Sequence, residues 1–275
     1  KWAHKLASAF RACGAEIVCY DRNRPPVAEG EADPLHMAYV DGFGYGMYWR
    51  RMIAYDGIDA IVAVAPPEVT TEVALACAAA GKPVCATKPL FDHPERITVP
   101  FYVDFWRLWS EAHTITKRCI MISGGEIRYV LCGPGPDRGF PGIFDYGPHV
   151  MAALLDMGPI DVEKSITTGV ADDIKRSGHG DLQKLRLSVN DTSDSIVAVY
   201  GNGAAVSRRI IWGTEETATH IGTEPKSEIL RRFCQSFLDD ISEGFVDTRL
   251  LELSRKGMAE LRKIREMATA SADTR

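Results

Sequence analysis

Two apolar runs flank one helical pattern, and this spacing constrains the fold more than any other feature of the chain. "IDAIVAVA" (58–65) and "KPVCAT" (82–87) enclose "TTEVALACAAAG" (70–81). Both runs are apolar at successive positions, so neither alternates as a strand with one wet face would. Strands of this kind belong to a parallel sheet covered on both sides, and the intervening helix is the crossover that parallel pairing needs. The pattern extends upstream. Trp2, Leu6 and Phe10 recur every four residues as a helix that stops at Gly14, "EIVCYDRN" is a β-rich run, and "MYWRRMIAYDG" is a helix ending at Gly57. Residues 25–36 have the composition of a loop. The helical spacing is already under way at Trp2, so a strand upstream of Lys1 is expected. The predicted class is α/β, a doubly wound domain over 1–106.

The rhythm then changes. "EIRYVLC", "VEKSITTGV", "QKLRLSVN", "SIVAVYG" and "AAVSRRIIW" are strand candidates, and Asn202-Gly203 predicts a hairpin between the last two. Ile229, Phe233, Phe237 and Ile241 form one helical stripe; Met258, Leu261, Ile264 and Met267 form another. Strands followed by helices predict an α+β second domain over 107–275, with an open, mostly antiparallel sheet. A net charge of −5 gives no electrostatic reason to expect nucleic acid or an anionic membrane. No run approaches the about 18 apolar residues of a membrane span. Seven scattered cysteines without a CxxC pair suit reduced thiols and a cytoplasmic protein.

Ligands of open parallel sheets bind beyond the carboxyl ends of the strands. Three such ends are legible: Asp21, Pro66-Pro67 and Thr87-Lys88-Pro89. Asp21 either binds a ribose from its strand end or opens a turn. Lys88 either snorkels to water or projects over the crevice, its direction restrained by Pro89 in a link able to be cis. In "GIFDYGPHVMAALLDMGP" (142–159), Pro148 suits a first helical turn, so Asp145 and His149 bracket a helix start. They are either a cap and a half-buried histidine or an acid–base pair, with the helix N-terminus keeping the imidazole neutral. Trp106 and Trp109 are either sugar-stacking rings or core. Asp104, Tyr102 and Tyr146 offer further polar contacts.

Taken together, "GIDAIVAVAPP", "ALACAAAGKPVCATKPL" and "GIFDYGPH", in this order, resemble the Gfo/Idh/MocA family of NAD(P)-dependent oxidoreductases, and "SFLDDISEG" resembles that family's C-terminal end. The resemblance implies a Rossmann domain and an α/β domain that often serves oligomerisation, hence a homodimer or homotetramer through the second sheet. It implies that Lys88 is the lysine reaching both nicotinamide and substrate, and that Asp145 and His149 are the catalytic acidic and histidine positions. Asp21 and its neighbour Arg22 fall at the ribose-binding end, Ala65 and Pro66 at the turn against the nicotinamide. Arg107 with Trp106 lies near the substrate. No metal is implied.

The chain departs from the pattern in four places. Thr87 replaces a glutamate, Thr70 stands where histidine is common, and Ala152 stands where many sugar-active members carry aspartate. The stretch from Pro89 to Asp104 is also short for the helix and strand expected there. The activity implied is reversible hydride transfer between NAD(P) and a secondary alcohol of a sugar, cyclitol or nucleotide-sugar. Its alternatives are an NAD-dependent glycosidase, an imine or tetrapyrrole reductase, and a non-catalytic nucleotide-binding regulator. Asp21 beside a 2′-phosphate would repel it by about 4 kcal/mol per charge pair at about 4 Å, which leans toward NAD; Arg22 and Arg24 offset much of this.

Overall fold

The computed structural model describes residues 2–19, 38–39, 48–123, 127–133, 147–158, 160–169, 181–189, 195–202, 207–212, 219–220 and 224–272. They divide into two compact units. The first comprises Lys1–Thr87, Phe91–Asp104 and Pro225–Thr248; the second comprises Lys88–Leu90, Phe105–Glu224 and Arg249–Arg275.

In the first unit, helix α1 (Trp2–Ala12) buries Leu6, Ala9 and Phe10 and ends before Gly14, whose φ of 90° only glycine adopts freely. Strands β1 (Val18–Cys19) and β2 (Ala38–Tyr39) pair in parallel. Helix α2 (Tyr48–Ala54) precedes β3 (Ile61–Ala63), helix α3 (Pro67–Ala79), β4 (Val84–Ala86) and β5 (Phe101–Val103). These three strands form a separate parallel sheet with β4 in the middle, in the register Ile61↔Val84 and Val84↔Phe101. All three residues of β4 are buried, as a strand covered on both faces requires. The segment that looked too short for a helix and a strand keeps the strand, β5; residues 88–100 contain no helix.

The compact units differ from a division at residue 106 in three places: Lys88–Leu90 and Phe105–Trp106 group with the second unit, and Pro225–Thr248 groups with the first. Helix α6 (Lys226–Glu243) belongs to the first unit, not to the second. Its apolar stripe, Ile229, Leu230, Phe233, Cys234 and Phe237, packs where α1 and β5 offer matching surface. The Phe10 and Phe237 rings meet edge-on at 6.0 Å, and Tyr102 tilts against Phe237 at 5.0 Å. Above these rings the Tyr102 hydroxyl donates to Asp240 Oδ2 at 2.7 Å and lies 2.9 Å from Ser236 Oγ. Each phenylalanine buried this way contributes about 2–3 kcal/mol.

The second unit contains a 3-10 helix (Trp106–Trp109), α4 (Glu111–Ser123), β6 (Ile127–Gly133), α5 (Gly147–Met157), β7 (Ile160–Gly169), β8 (Asp181–Val189), β9 (Ser195–Asn202), β10 (Ser207–Trp212), β11 (Thr219–His220) and α7 (Arg249–Ala272). Its six-stranded sheet runs β11-β10-β6-β9-β8-β7. Only the β6–β9 pair is parallel; the other pairs are antiparallel. The hairpin predicted at Asn202-Gly203 does not form, because β6 lies between β9 and β10 and takes the edges both would offer each other. Helices α5 and α7 are antiparallel neighbours. Gly147 faces Leu261, Met151 faces Gly257 and Asp156 faces Arg249, so the numbers rise along one helix as they fall along the other.

No described helix is long and apolar enough to cross a membrane. Cys13, Cys77, Cys85 and Cys234 are free, and burial pushes the Cys77 thiol up to about 12, as expected of core residues rather than reactive ones.

Candidate functional site

The carboxyl ends of β3 and β4 carry the first group of expected residues. Beyond β3 the chain turns at Ala65-Pro66 into α3, with Pro67 in the first helical turn where its missing N–H costs nothing. Thr70 holds this turn: the Ala65 N–H donates to Thr70 Oγ1 at 3.1 Å, and that hydroxyl donates to the Ala65 carbonyl at 3.0 Å. Thr70 is fully buried. Its place in the sequence, where histidine is common, is thus taken by a residue that fastens the turn from inside. Ala65 and Pro66 remain exposed.

Beyond β4, Thr87 is buried and donates from Oγ1 to the Ala63 carbonyl at 3.2 Å, which also accepts the Thr87 N–H at 3.0 Å. A threonine here closes the strand end onto β3 rather than reaching outward as a glutamate would. Lys88 follows, half-buried, and the Lys88–Pro89 peptide is cis. Lys88–Leu90 group with the second unit, the unit that also holds Trp106, Arg107 and His149.

After β5, Asp104 and Tyr102 turn out to be structural in the first unit. Asp104 is buried and accepts the Trp2 indole N–H at 2.6 Å. Tyr102 is committed to α6 through Ser236 and Asp240. Burial, with the neighbouring Asp240 carboxylate, pushes the Tyr102 phenol well above its ordinary value and keeps it a donor. Trp106 is 4% exposed, with the Arg107 guanidinium 4.6 Å from its ring centroid. Arg107 itself is half-buried on the 3-10 helix, whose end Ser110 fastens by donating to the Arg107 carbonyl at 2.8 Å.

His149 is the third residue of α5, half-buried, with its ring edge-on to Phe105 at 6.0 Å. Ala152 is buried, so an aspartate there would bring an unpaired charge into the core. Asp21, Arg22, Asp145 and Tyr146 lie outside the described residues. Among the described residues no group of three His, Cys, Asp or Glu is placed to hold a metal ion.

One cluster escaped the sequence reading. Asp156, at the far end of α5 with its side chain 6% exposed, lies 2.9 Å from His113 Nε2 and accepts from Lys117 Nζ at 3.0 Å; Arg249 is 3.6 Å from its other oxygen. Burial alone would raise the Asp156 carboxyl. The His113 and Lys117 hydrogen bonds and the Arg249 charge outweigh it and hold the group well below its ordinary value. The available signal was a lone aspartate in an apolar helix, two turns beyond His149.

No protein-family model matches the sequence, and no curated protein matches it. Solved structures do match. Scyllo-inositol dehydrogenase from Lactobacillus casei, solved with bound cofactor NAD(H) and scyllo-inositol, superposes with a TM-score of 0.63 at 15% identity, over 85% of this chain and 83% of that one. KijD10, a 3-ketoreductase from Actinomadura kijaniata in complex with NADP, gives 0.62 at 14% identity, over 84% and 82%. Biliverdin reductase from Synechocystis sp. PCC 6803, in complex with biliverdin and NADP+, gives 0.61 at 16% identity, over 95% and 94%. The chain therefore shares the fold of these structures.

Proposed function

We propose that the protein is an NAD(P)-dependent oxidoreductase that interconverts a secondary alcohol and a ketone on a small polyhydroxylated molecule such as a cyclitol or sugar. The observation that carries this proposal is the shared fold together with the grouping of Lys88, Arg107 and His149 in one unit. The strand ends suit a nicotinamide. Thr70 occupies both polar backbone groups of Ala65, and the exposed Ala65-Pro66 surface left over is small and apolar, as the face of a planar ring needs. Asp21 and Arg22 would hold the ribose end, Ala65, Pro66 and Lys88 the nicotinamide end.

When bound, the nicotinamide accepts or supplies the hydride. His149 takes the hydroxyl proton during oxidation and returns it during reduction, a role that a neutral imidazole near a helix N-terminus can fill at neutral pH. Asp145 orients that imidazole and stabilises its cation. The Lys88 ammonium holds the reacting oxygen and favours the alkoxide-like charge that develops on it. Arg107, with Trp106 beneath its guanidinium, orients the rest of the substrate. Asp21 leans the cofactor choice toward NAD, with Arg22 and Arg24 as the counterweight.

The test is absorbance at the reduced-nicotinamide band with the full-length protein and a panel of inositols, sugars and nucleotide-sugars. Turnover of a cyclitol or sugar with either cofactor is expected; no turnover and no cofactor binding across the panel would remove the proposal. A second reading, a tetrapyrrole reductase, draws on the biliverdin reductase match, which covers more of both chains than the dehydrogenase matches do. Biliverdin reduction without cyclitol oxidation selects it.

A further inference from the structure

We propose that Asp156 is a positioning residue for His149, fixing helix α5 from its far end so that the imidazole keeps one place; the proposal rests on the role of His149 given above. The two residues are seven apart on one helix, about two turns and about 10 Å along its axis, and share a face. Asp156 lies in the last turn, where the carbonyl end of the helix disfavours a carboxylate. It is held there by His113 and Lys117 from α4 and by Arg249 from α7. A carboxylate only accepts, so His113 Nε2 is the donor, and buried Nδ1 is left with no hydrogen-bond partner among the described residues. A packing role alone would be filled at less cost by apolar side chains; what an ionic cluster of this kind provides is a single geometry.

The other half of the helix is fixed by size. A Cβ on Gly147 would come within 2.9 Å of Leu261 Cδ2, and one on Gly257 within 3.2 Å of Met151 Cβ. Helices α5 and α7 thus approach closely on either side of His149, at residues 147 and 151, and the charge cluster stops them sliding. His149 sits on the stretch between these contacts. Moving Asp156 therefore displaces the imidazole relative to Phe105, the ring beside it.

The experiment uses the full-length protein labelled with 13C at histidine Cε1, with no cofactor or substrate added. The His149 resonance is assigned by its loss in His149→Gln and titrated from about pH 5 to about pH 9. Asp156→Asn is expected to displace that resonance and to move its midpoint by a few tenths of a pH unit. Asp156→Glu, which keeps the charge, recovers part of the change. Leu108→Ala, a buried truncation in the same unit that leaves the cluster intact, is expected to move neither. If Asp156→Asn does not fold, Lys117→Met takes its place, since Lys117 is 35% exposed and readily truncated, and a smaller displacement of the resonance is expected. An unmoved resonance in the folded variants, or an equal displacement in Leu108→Ala, overturns the positioning role. Because nothing nicotinamide-dependent is measured, that failure is separate from any failure of the proposed reaction.

Discussion

Truncating Phe237 to alanine tests whether helix α6 is part of the first unit's core. The ring is 1% exposed and is held between Phe10 at 6.0 Å and Tyr102 at 5.0 Å. Removing a buried phenylalanine costs about 3–5 kcal/mol, since the surroundings collapse only partly into the space. At about 1.4 kcal/mol per decade, this corresponds to amide exchange through the opened unit about 10²- to 4 × 10³-fold faster. Hydrogen-exchange mass spectrometry reads it peptide by peptide. Peptides from α1, β4, β5 and α6 are expected to accelerate together, while those from α5 and α7 keep their rates. The milder Tyr102→Phe removes the hydroxyl shared with Asp240 and Ser236. Both partners are half-exposed and recover water, so a loss of about 1–1.5 kcal/mol and a roughly tenfold acceleration of the same peptides are expected. Acceleration of α5 and α7 with α1 and β5 unchanged would refute the assignment of α6 to the first unit.

Three further outcomes follow from the geometry. The Asp156 carboxyl is held below its ordinary value near 3.8 in the folded chain, so its stabilising contribution is complete above about pH 5 and is lost as pH falls through the folded-state value; acid unfolding followed by near-UV circular dichroism should lose this pH dependence in Asp156→Asn. Gly257→Ala gains about 1 kcal/mol of helix propensity, but its Cβ meets the stiff Met151 Cβ at 3.2 Å, whereas Gly147→Ala meets only the movable end of Leu261; thermal melts are expected to show Gly257→Ala the less stable of the two. The second-unit sheet is proposed to join copies of the chain, and light scattering after size exclusion is expected to give a dimer or tetramer mass; a monomer at all concentrations rules this out.

The fold was legible where sequence and burial share one cause. The strands around α3 read as parallel because β4 is covered on both faces, and Gly14, Gly81 and Gly244 stop helices where only glycine takes a positive φ without strain. Nonlocal choices were not legible. Asn202-Gly203 signals a turn, but no local signal says that β6, more than sixty residues earlier, will take the pairing edges of both β9 and β10. The stripe on α6 says that one face is buried, not that α1 and β5 cover it. Trp106 has the same spacing whether it meets a sugar or the core, and its 4% exposure is not visible in that spacing. In the site, Lys88 and His149 were chosen by motif. The partners of Asp156 lie 43 and 39 residues away on α4, beyond any helical period, and remained invisible.

The central claim is that this chain uses Lys88 and His149 on a substrate presented to a nicotinamide. Its most direct test is calorimetric titration of NADH and NADPH into the full-length protein and its Lys88→Ala and His149→Gln variants, paired with turnover on whichever cyclitol, sugar or tetrapyrrole the wild type accepts. The account predicts saturable binding of at least one cofactor by all three proteins, with turnover reduced at least about 100-fold in both variants. Absence of binding by the wild type, or wild-type turnover in Lys88→Ala and His149→Gln, would contradict it.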